Sequence, residues 1–180
     1  MSKEYEVTIL EVDDSFESKL VGLGAKLVSD SMQRRYVYDV RPVNPNKWIR
    51  LRTNEKKTTL TVKEVRDKNE IGGTDEIEIV VDSFEGTNKL LESLGYTSRN
   101  YQENYRKMYV LNEVEISIDS WPMIPTYAEI EGKSEKGVLD VLELLGYTKG
   151  DYTTLDVVSI YKLYNIDIMK IKELRFEDVR

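Results

Sequence analysis

Residues 48–52 of the chain read Trp-Ile-Arg-Leu-Arg, a strict alternation of apolar and charged side chains. Successive side chains of a β-strand point to opposite faces, so Arg50 and Arg52 share one face while Ile49 and Leu51 share the other. The same period of two recurs in residues 5–12, 36–40, 60–65, 75–81, 105–111, 114–119 and 127–131. Eight such runs separated by turns predict a sandwich or a closed barrel.

Three segments between these strands have the residues of capped helices instead of alternation. Each begins near an Asp or Ser, whose side chain can cap the first turn of a helix. Each ends in Leu-Gly, where the glycine can adopt the left-handed conformation that terminates a helix. The segments are residues 14–24, 82–95 and 134–146. Apolar residues at helical spacing also predict a helix within residues 156–172, packed on the outside of the strands. The fold class is therefore α+β, with mainly antiparallel β-structure.

The composition restricts the chemistry that the chain can perform. Its 180 residues include 33 acidic and 26 basic side chains, which gives a formal charge of −7, and they include neither histidine nor cysteine. The chain therefore has no disulfide, no thiolate nucleophile, no cysteine-bound zinc and no serine–histidine–aspartate triad. Any catalysis must use carboxylates, amines, guanidinium groups, hydroxyls or hard metal ions.

Length and apolar content predict one globular domain over residues 1–180. No apolar run approaches the roughly 20 residues that span a bilayer, and the first six residues lack the apolar stretch of a secretory signal. We therefore expect a cytoplasmic protein with no membrane partner. The net acidic charge argues against broad nucleic-acid binding, which requires a basic face. The sequence leaves monomer and homodimer open.

Within a predicted strand, the paired charges on the polar face have the same sign. Paired glutamates on a shared face occur in three strands, as Glu4 and Glu6, Glu76 and Glu78, and Glu129 and Glu131. Lys63 and Arg106 lie on two further strands, and Arg34 and Arg35 precede Tyr36. One interpretation is the solvated face of a sheet, with acid and base in cross-strand pairs.

The other interpretation is a charged lumen inside a closed sheet. The opposite faces of the same strands are apolar, as in Ile77 and Ile79, and need helices to cover them. If the apolar faces look outward to helices, the charged faces look inward. Converging arginines and lysines suit a polyanion, and paired carboxylates suit a divalent metal. Together they predict a metal–triphosphate site.

An ordered set of short motifs resembles the CYTH family, which is named for class IV adenylyl cyclases and thiamine triphosphatases. The motifs are Glu4-Tyr5-Glu6-Val7-Thr8, Trp48-Ile49-Arg50-Leu51-Arg52, Leu60-Thr61-Val62-Lys63, Glu76-Ile77-Glu78, Asp119-Ser120-Trp121-Pro122 and Tyr127-Ala128-Glu129-Ile130-Glu131-Gly132. The resemblance implies a closed eight-stranded triphosphate-tunnel barrel over about residues 4–147, with helices packed outside. It leaves a C-terminal helical extension over about residues 150–180.

The resemblance also implies roles for individual side chains. The implied ligands of Mg²⁺ or Mn²⁺ are Glu4, Glu6, Glu78, Asp119, Glu129 and Glu131. The implied phosphate-binding residues are Arg50, Arg52, Lys63, Arg106 and, at the rim, Lys133. The implied catalytic residues are Glu4, Glu6, Lys63 and Arg106.

Two positions depart from the family pattern. Thr8 stands where the signature lysine belongs, so a cation associated with phosphate binding and catalysis is missing. Tyr105 stands beside Arg106, where a second basic residue is common. One interpretation of these departures is ordinary sequence divergence within a subgroup of the family. The other is a site with lower or altered activity.

Three functional hypotheses follow from these residues. The first is a metal-dependent enzyme that hydrolyses inorganic, nucleoside or thiamine triphosphate, or that cyclises ATP to cyclic AMP. The second is a protein that captures a nucleotide or polyphosphate without turning it over, because Thr8 replaces the lysine. The third is a structural β domain with a charged surface.

Overall fold

The computed structural model describes residues 2–178, so Met1 and the last two residues of the predicted extension lie outside the described part. Its strands are β1 (Ser2–Ile9), β2 (Lys26–Asn44), β3 (Lys47–Thr53), β4 (Thr58–Val65), β5 (Thr74–Val81), β6 (Asn100–Leu111), β7 (Val114–Ser120), β8 (Tyr127–Gly132) and the short β9 (Glu173–Leu174). Its helices are α1 (Asp14–Gly22), α2 (Phe84–Ser93), α3 (Glu135–Leu144), α4 (Val157–Leu163) and a 3₁₀ turn, Ile168–Lys170. None of the helices within the described range is long and apolar enough to cross a membrane.

The first eight strands form a closed antiparallel barrel, as predicted. Their order is β2-β3-β4-β5-β1-β8-β7-β6, and pairing of β2 with β6 joins the two ends. Antiparallel neighbours place every second side chain on the inner face, so closure turns eight charged or polar faces toward one lumen. β9 adds a short parallel pair to the start of β6.

Strand β2 is much longer than its predicted range of residues 36–40. It begins at Lys26, because residues 26–37 pair with β6 while residues 34–44 pair with β3. Apart from Met32, the segment from Ser29 to Arg35 is polar on both faces, so it lacks the apolar alternation that marks the other strands. This added length closes the barrel and places Arg35 on the inner face.

The three helices predicted between the strands are present, and side chains cap each of them. Ser83 and Ser134 accept hydrogen bonds from the backbone N–H groups of Gly86 and Gly137. Asp13 caps α1. These caps satisfy donors that the first turn of a helix leaves without partners.

The helices bury the outward apolar faces of most strands. α1 and α3 pack against β1, β7 and β8, where Ile116 and Ile130 are fully buried. α2 packs on β3, where Phe84 and Leu91 contact a buried cluster that includes Leu51. The core thus lies between the helices and the barrel wall.

Strand β5 is the exception to the expectation that helices cover each apolar face. Ile77 and Ile79 are 50% and 53% exposed. The reason is position: α2 lies on β3 while α1 and α3 lie on the β1–β8–β7 side, which leaves the outer face of β5 between them. The prediction of a covered face was therefore wrong for this strand.

The C-terminal segment does not form the single helix predicted within residues 156–172. α4 ends at Leu163, and Asn165 follows with a left-handed φ of 61°, after which the chain makes the separate 3₁₀ turn. α4 also lies across one end of the barrel. There the Tyr161 hydroxyl donates to the Pro122 carbonyl at 2.7 Å, and its ring meets Trp121 edge-on at 6.1 Å.

The difference between the covered and uncovered faces gives a stability test. We expect Ile116→Ala to cost about 2–5 kcal/mol of unfolding free energy, because it empties a buried site. Ile77→Ala is the matched control on a half-exposed outward position and should cost about 1 kcal/mol or less. Urea unfolding followed by circular dichroism measures both. Equal losses for the two variants would contradict this account of the core.

Candidate functional site

The barrel encloses a charged cavity of about 830 Å³. Ten basic and eight acidic side chains line it, so its lining is net positive although the whole chain has a charge of −7. Side chains of all eight barrel strands reach this space, and α4 borders it at one end through Val158 and Lys162. The inward charges that the alternation predicted therefore surround one volume.

A cluster of three carboxylates forms one wall of the cavity. Glu4 and Glu6 on β1 and Glu131 on β8 have carboxylate oxygens that lie within 4.8 Å of one another. Glu6 and Glu131 are direct neighbours across the β1–β8 pair. The Lys63 ammonium lies 2.5 Å from Glu4 Oε1 and 3.1 Å from Glu76 Oε2, so it bridges this wall to β5.

The carboxylate cluster holds more negative charge than one lysine neutralises. Burial, together with the charge of neighbouring carboxylates, raises the pKa of Glu6 well above its usual range. Burial and the adjacent Glu4 raise the pKa of Glu131 to about 7. Carboxylate oxygens are the ligands that Mg²⁺ and Mn²⁺ prefer, and a divalent cation would relieve this repulsion. The three residues therefore fit such an ion.

The other three carboxylates of the predicted metal set lie in ion pairs with cations. The Arg106 Nη2 atom lies 2.6 Å from Asp119 Oδ2 and 2.5 Å from Glu129 Oε2. Glu78 lies 3.7 Å from Arg52 and also faces Arg50. The structure thus divides the six predicted carboxylates into a cluster of three and three that are paired with arginine.

A basic wall is formed by strands β2 and β3. Arg50 and Arg52 are on β3, and Arg35 on β2 is the direct cross-strand neighbour of Arg52. The neighbouring Arg50, together with burial, lowers the pKa of Arg52 to about 9. This shift indicates that guanidinium charges are crowded beyond what nearby carboxylates compensate. Such a wall is suited to an anion with several charged oxygens.

Arg35 is a buried lumen residue that the predicted site lacks. It is 5% exposed and lines the cavity. The sequence does contain a signal for the inward position of Arg35. Arg35 lies one residue before Tyr36, and alternation along a strand places it on the face opposite that tyrosine. The alternating pattern predicts that this strand starts at residue 36, so Arg35 directly precedes the predicted strand.

Four positions that the sequence singles out are not among the residues that line the cavity, and one of them, Asp119, is fully buried beside Arg106. Lys133 is exposed just beyond the end of β8 and is not among the residues that line the cavity. Tyr105 is 37% exposed on the outer face, so this departure from the family pattern lies outside the lumen. Thr8 is 1% exposed and is the cross-strand neighbour of Glu129. Of the two departures, Thr8 is therefore the one that lies next to a residue of the cavity lining.

Comparison with known proteins identifies the fold. The PH1012 protein of Pyrococcus horikoshii has 25% sequence identity to this chain and a TM-score of 0.73, over 85% of this chain and 96% of its own. A candidate adenylate cyclase from Vibrio parahaemolyticus has 12% identity and a TM-score of 0.75, over 89% and 98%. A candidate adenylate cyclase from Bacillus halodurans has 15% identity and a TM-score of 0.61, over 89% and 97%. No family profile and no curated protein matches the chain.

These structures place the chain in a class of closed antiparallel barrels with helices outside. The fold that the CYTH resemblance implied is thereby confirmed. At these identities the comparison is of folds, so the reaction must be argued from the site itself.

The raised pKa of Glu131 predicts how stability depends on pH. A carboxyl whose pKa is raised in the folded state stabilises the fold below pH about 4.5 and loses that contribution as the pH rises through about 7. Glu131→Gln keeps a neutral side chain at every pH. We therefore expect it to raise the melting temperature at pH 8, in metal-free buffer, and to change it little at pH 4.

The exposed Glu113, in the turn between β6 and β7, provides the control. Glu113→Gln removes the same charge and should leave the difference between pH 4 and pH 8 as it is in the unmodified protein. A Glu131→Gln variant with the same pH dependence as Glu113→Gln would contradict the assigned shift.

Proposed function

We propose that the chain is a divalent-metal-dependent enzyme that acts on a triphosphate inside the barrel. One observation carries the proposal: the carboxylate cluster of Glu4, Glu6 and Glu131 and the arginine wall of Arg50 and Arg52 line the same cavity. A polyphosphate with a bound divalent cation presents both matching charges.

The residues divide into two groups by the charge that they would bind. Glu4, Glu6 and Glu131 would hold Mg²⁺ or Mn²⁺, which neutralises phosphate oxygens and polarises the phosphorus that is attacked. Arg50 and Arg52 would bind phosphate oxygens through their guanidinium groups, with Lys63 and Arg106 as further cations. Phosphoryl transfer depends on positioning and charge stabilisation more than on covalent chemistry, which suits a rigid, charged barrel.

Proton transfer from the nucleophile requires a base in the same cavity. A carboxylate of the cluster that is not bound to the cation would accept this proton. If the nucleophile is water, the enzyme releases orthophosphate from inorganic triphosphate, a nucleoside triphosphate or thiamine triphosphate. If it is the ribose 3′-hydroxyl of ATP, the products are cyclic AMP and pyrophosphate.

A second candidate function is capture of a nucleotide or polyphosphate without turnover. The observation that favours it is Thr8, which is buried, uncharged and on the same strand face as Glu4 and Glu6. A cation missing from a site that excludes water removes charge stabilisation from the transition state, at a cost on the order of 2–4 kcal/mol. Binding by the arginines would persist under this hypothesis.

A substrate panel tests the leading proposal. Purified protein with Mg²⁺ or Mn²⁺ is given inorganic triphosphate, ATP and thiamine triphosphate, and orthophosphate and cyclic AMP are measured. We expect a metal-dependent product from at least one of them. Tight binding without any product would favour capture.

The arginine wall is tested by removing two charges. We expect Arg50→Gln combined with Arg52→Gln to weaken triphosphate binding at least tenfold, because each charge-assisted hydrogen bond contributes about 1.5–3 kcal/mol. Calorimetry or the thermal shift with triphosphate measures the loss. Lys149→Gln combined with Lys172→Gln removes the same charge from exposed positions and should have little effect. Equal effects of the two double variants would contradict a specific site.

The role of Thr8 is tested by restoring the signature charge. We expect Thr8→Lys to raise kcat/KM for the best substrate by on the order of tenfold or more, because a lumen cation stabilises developing phosphate charge. Thr97→Lys adds the same charge at an exposed position and is the control. If Thr8→Lys keeps its melting temperature and its turnover does not change, the missing lysine does not limit activity.

A further inference from the structure

Two consecutive arginines of β2 lie in opposite environments. The Arg34 guanidinium lies on the outside, 5.4 Å from the centre of the Phe84 ring. Arg35 points inward, is 5% exposed and lines the cavity. The two side chains lie on opposite faces because successive residues of a β-strand point in opposite directions. Arg34 therefore offers a built-in comparison for any function of Arg35.

The contacts of Arg35 satisfy only part of its guanidinium group. Its Nη2 atom donates to the side-chain carbonyl of Asn104, which is neutral, and its guanidinium carbon lies 4.6 Å from the centre of the Trp121 ring. Its Nε atom is buried and has no hydrogen-bond partner, which is equally true of the Nε atoms of Arg34 and Arg50, so the inward position of Arg35 is what distinguishes it from Arg34. The adjacent carboxylate, Asp119, bonds to Arg106 and to Asn104. A buried cation with an incomplete set of partners is costly unless something else compensates it.

The charges around Arg35 are mostly of its own sign. Arg52 is its direct cross-strand neighbour. Burial lowers the pKa of Arg35 well below its usual range, and the charges of Arg50, Arg52 and Arg106 lower it further. Four guanidinium groups thus converge on one part of the lumen, and an anion with several oxygens is the partner that this arrangement lacks.

We propose that Arg35 is a further anion-binding residue of the tunnel and that it forms, with Arg52, a phosphate subsite on the wall of β2 and β3. The proposal rests on the proposed function, and it adds one residue of β2 to the phosphate-binding set of that site. Planar guanidinium groups on neighbouring strands can each donate to the oxygens of one phosphate.

The test compares the two arginines of β2 with inorganic tripolyphosphate and Mn²⁺ as the probe. We expect Arg35→Gln to raise the dissociation constant at least tenfold and Arg34→Gln to change it less than twofold, although both remove one charge. The melting temperature of the protein without tripolyphosphate should not fall further in Arg35→Gln than in Arg34→Gln, because the substitution relieves repulsion among the guanidinium groups.

Asn104→Ala separates direct contact from positioning. If Arg35 acts only by orienting Asn104 and Asp119, Asn104→Ala should weaken binding as much as Arg35→Gln, and that result overturns the proposed contact. If Arg35→Gln does not fold, Arg35→Lys replaces it. We expect that variant, which keeps the charge but loses the planar group, to bind about threefold to tenfold more weakly, and an unchanged affinity overturns the proposal.

The outcomes separate this proposal from the proposed function. If the unmodified protein does not bind tripolyphosphate, the proposed function fails. If the unmodified protein binds it and Arg35→Gln binds as tightly as Arg34→Gln, only the role of Arg35 fails. A selective loss in Arg35→Gln, with a smaller loss in Asn104→Ala, supports the subsite.

Discussion

The pairing of β2 with β6 is the constraint on which the rest of the molecule depends. It runs along residues 26–37 of β2 and 100–110 of β6 and converts a sheet into a barrel. In an open sheet the same charged faces would be hydrated and screened, and ion pairs on them would contribute little. Once the sheet closes, the charges share one volume, and burial strengthens both their attraction and their repulsion. The site is therefore a product of closure.

The eight strands and the three capped helices could be predicted from the sequence because each carries a local signal. Alternation in residues 48–52 places Arg50 and Arg52 on one face, and Ser83 and Ser134 mark where helices begin. These signals depend on neighbours within one element, and the structure confirms them. The barrel itself was also implied by the family resemblance, which the similar solved structures confirm at the level of the fold.

Features that depend on distant parts of the chain could not be predicted in the same way. The first half of β2 has polar residues on both faces, and it becomes a strand because β6 supplies its hydrogen-bond partners. Arg35 was left out of the predicted site for this reason. The break after Leu163 and the uncovered face at Ile77 likewise depend on where other elements lie. The division of six carboxylates into a cluster of three and three that pair with arginine depends on distances across the barrel. Alternation along a strand shows only which face a side chain is on, so it cannot predict those distances.

The ion pair between Lys63 and Glu4 has a thermodynamic consequence for how the tunnel would fill. The ammonium group lies 2.5 Å from a carboxylate of the cluster that fits a divalent cation. A cation that bound Glu4 would leave Lys63 with Glu76 as its remaining ion-pair partner and so more available to an anion, and an anion that bound Lys63 would leave Glu4 more available to a cation. By reciprocity of linked equilibria, each ligand then raises the affinity for the other by the same factor. Loading of the proposed site would in this sense be an exchange of internal counter-ions for external ones, with positive cooperativity between two ligands of opposite charge.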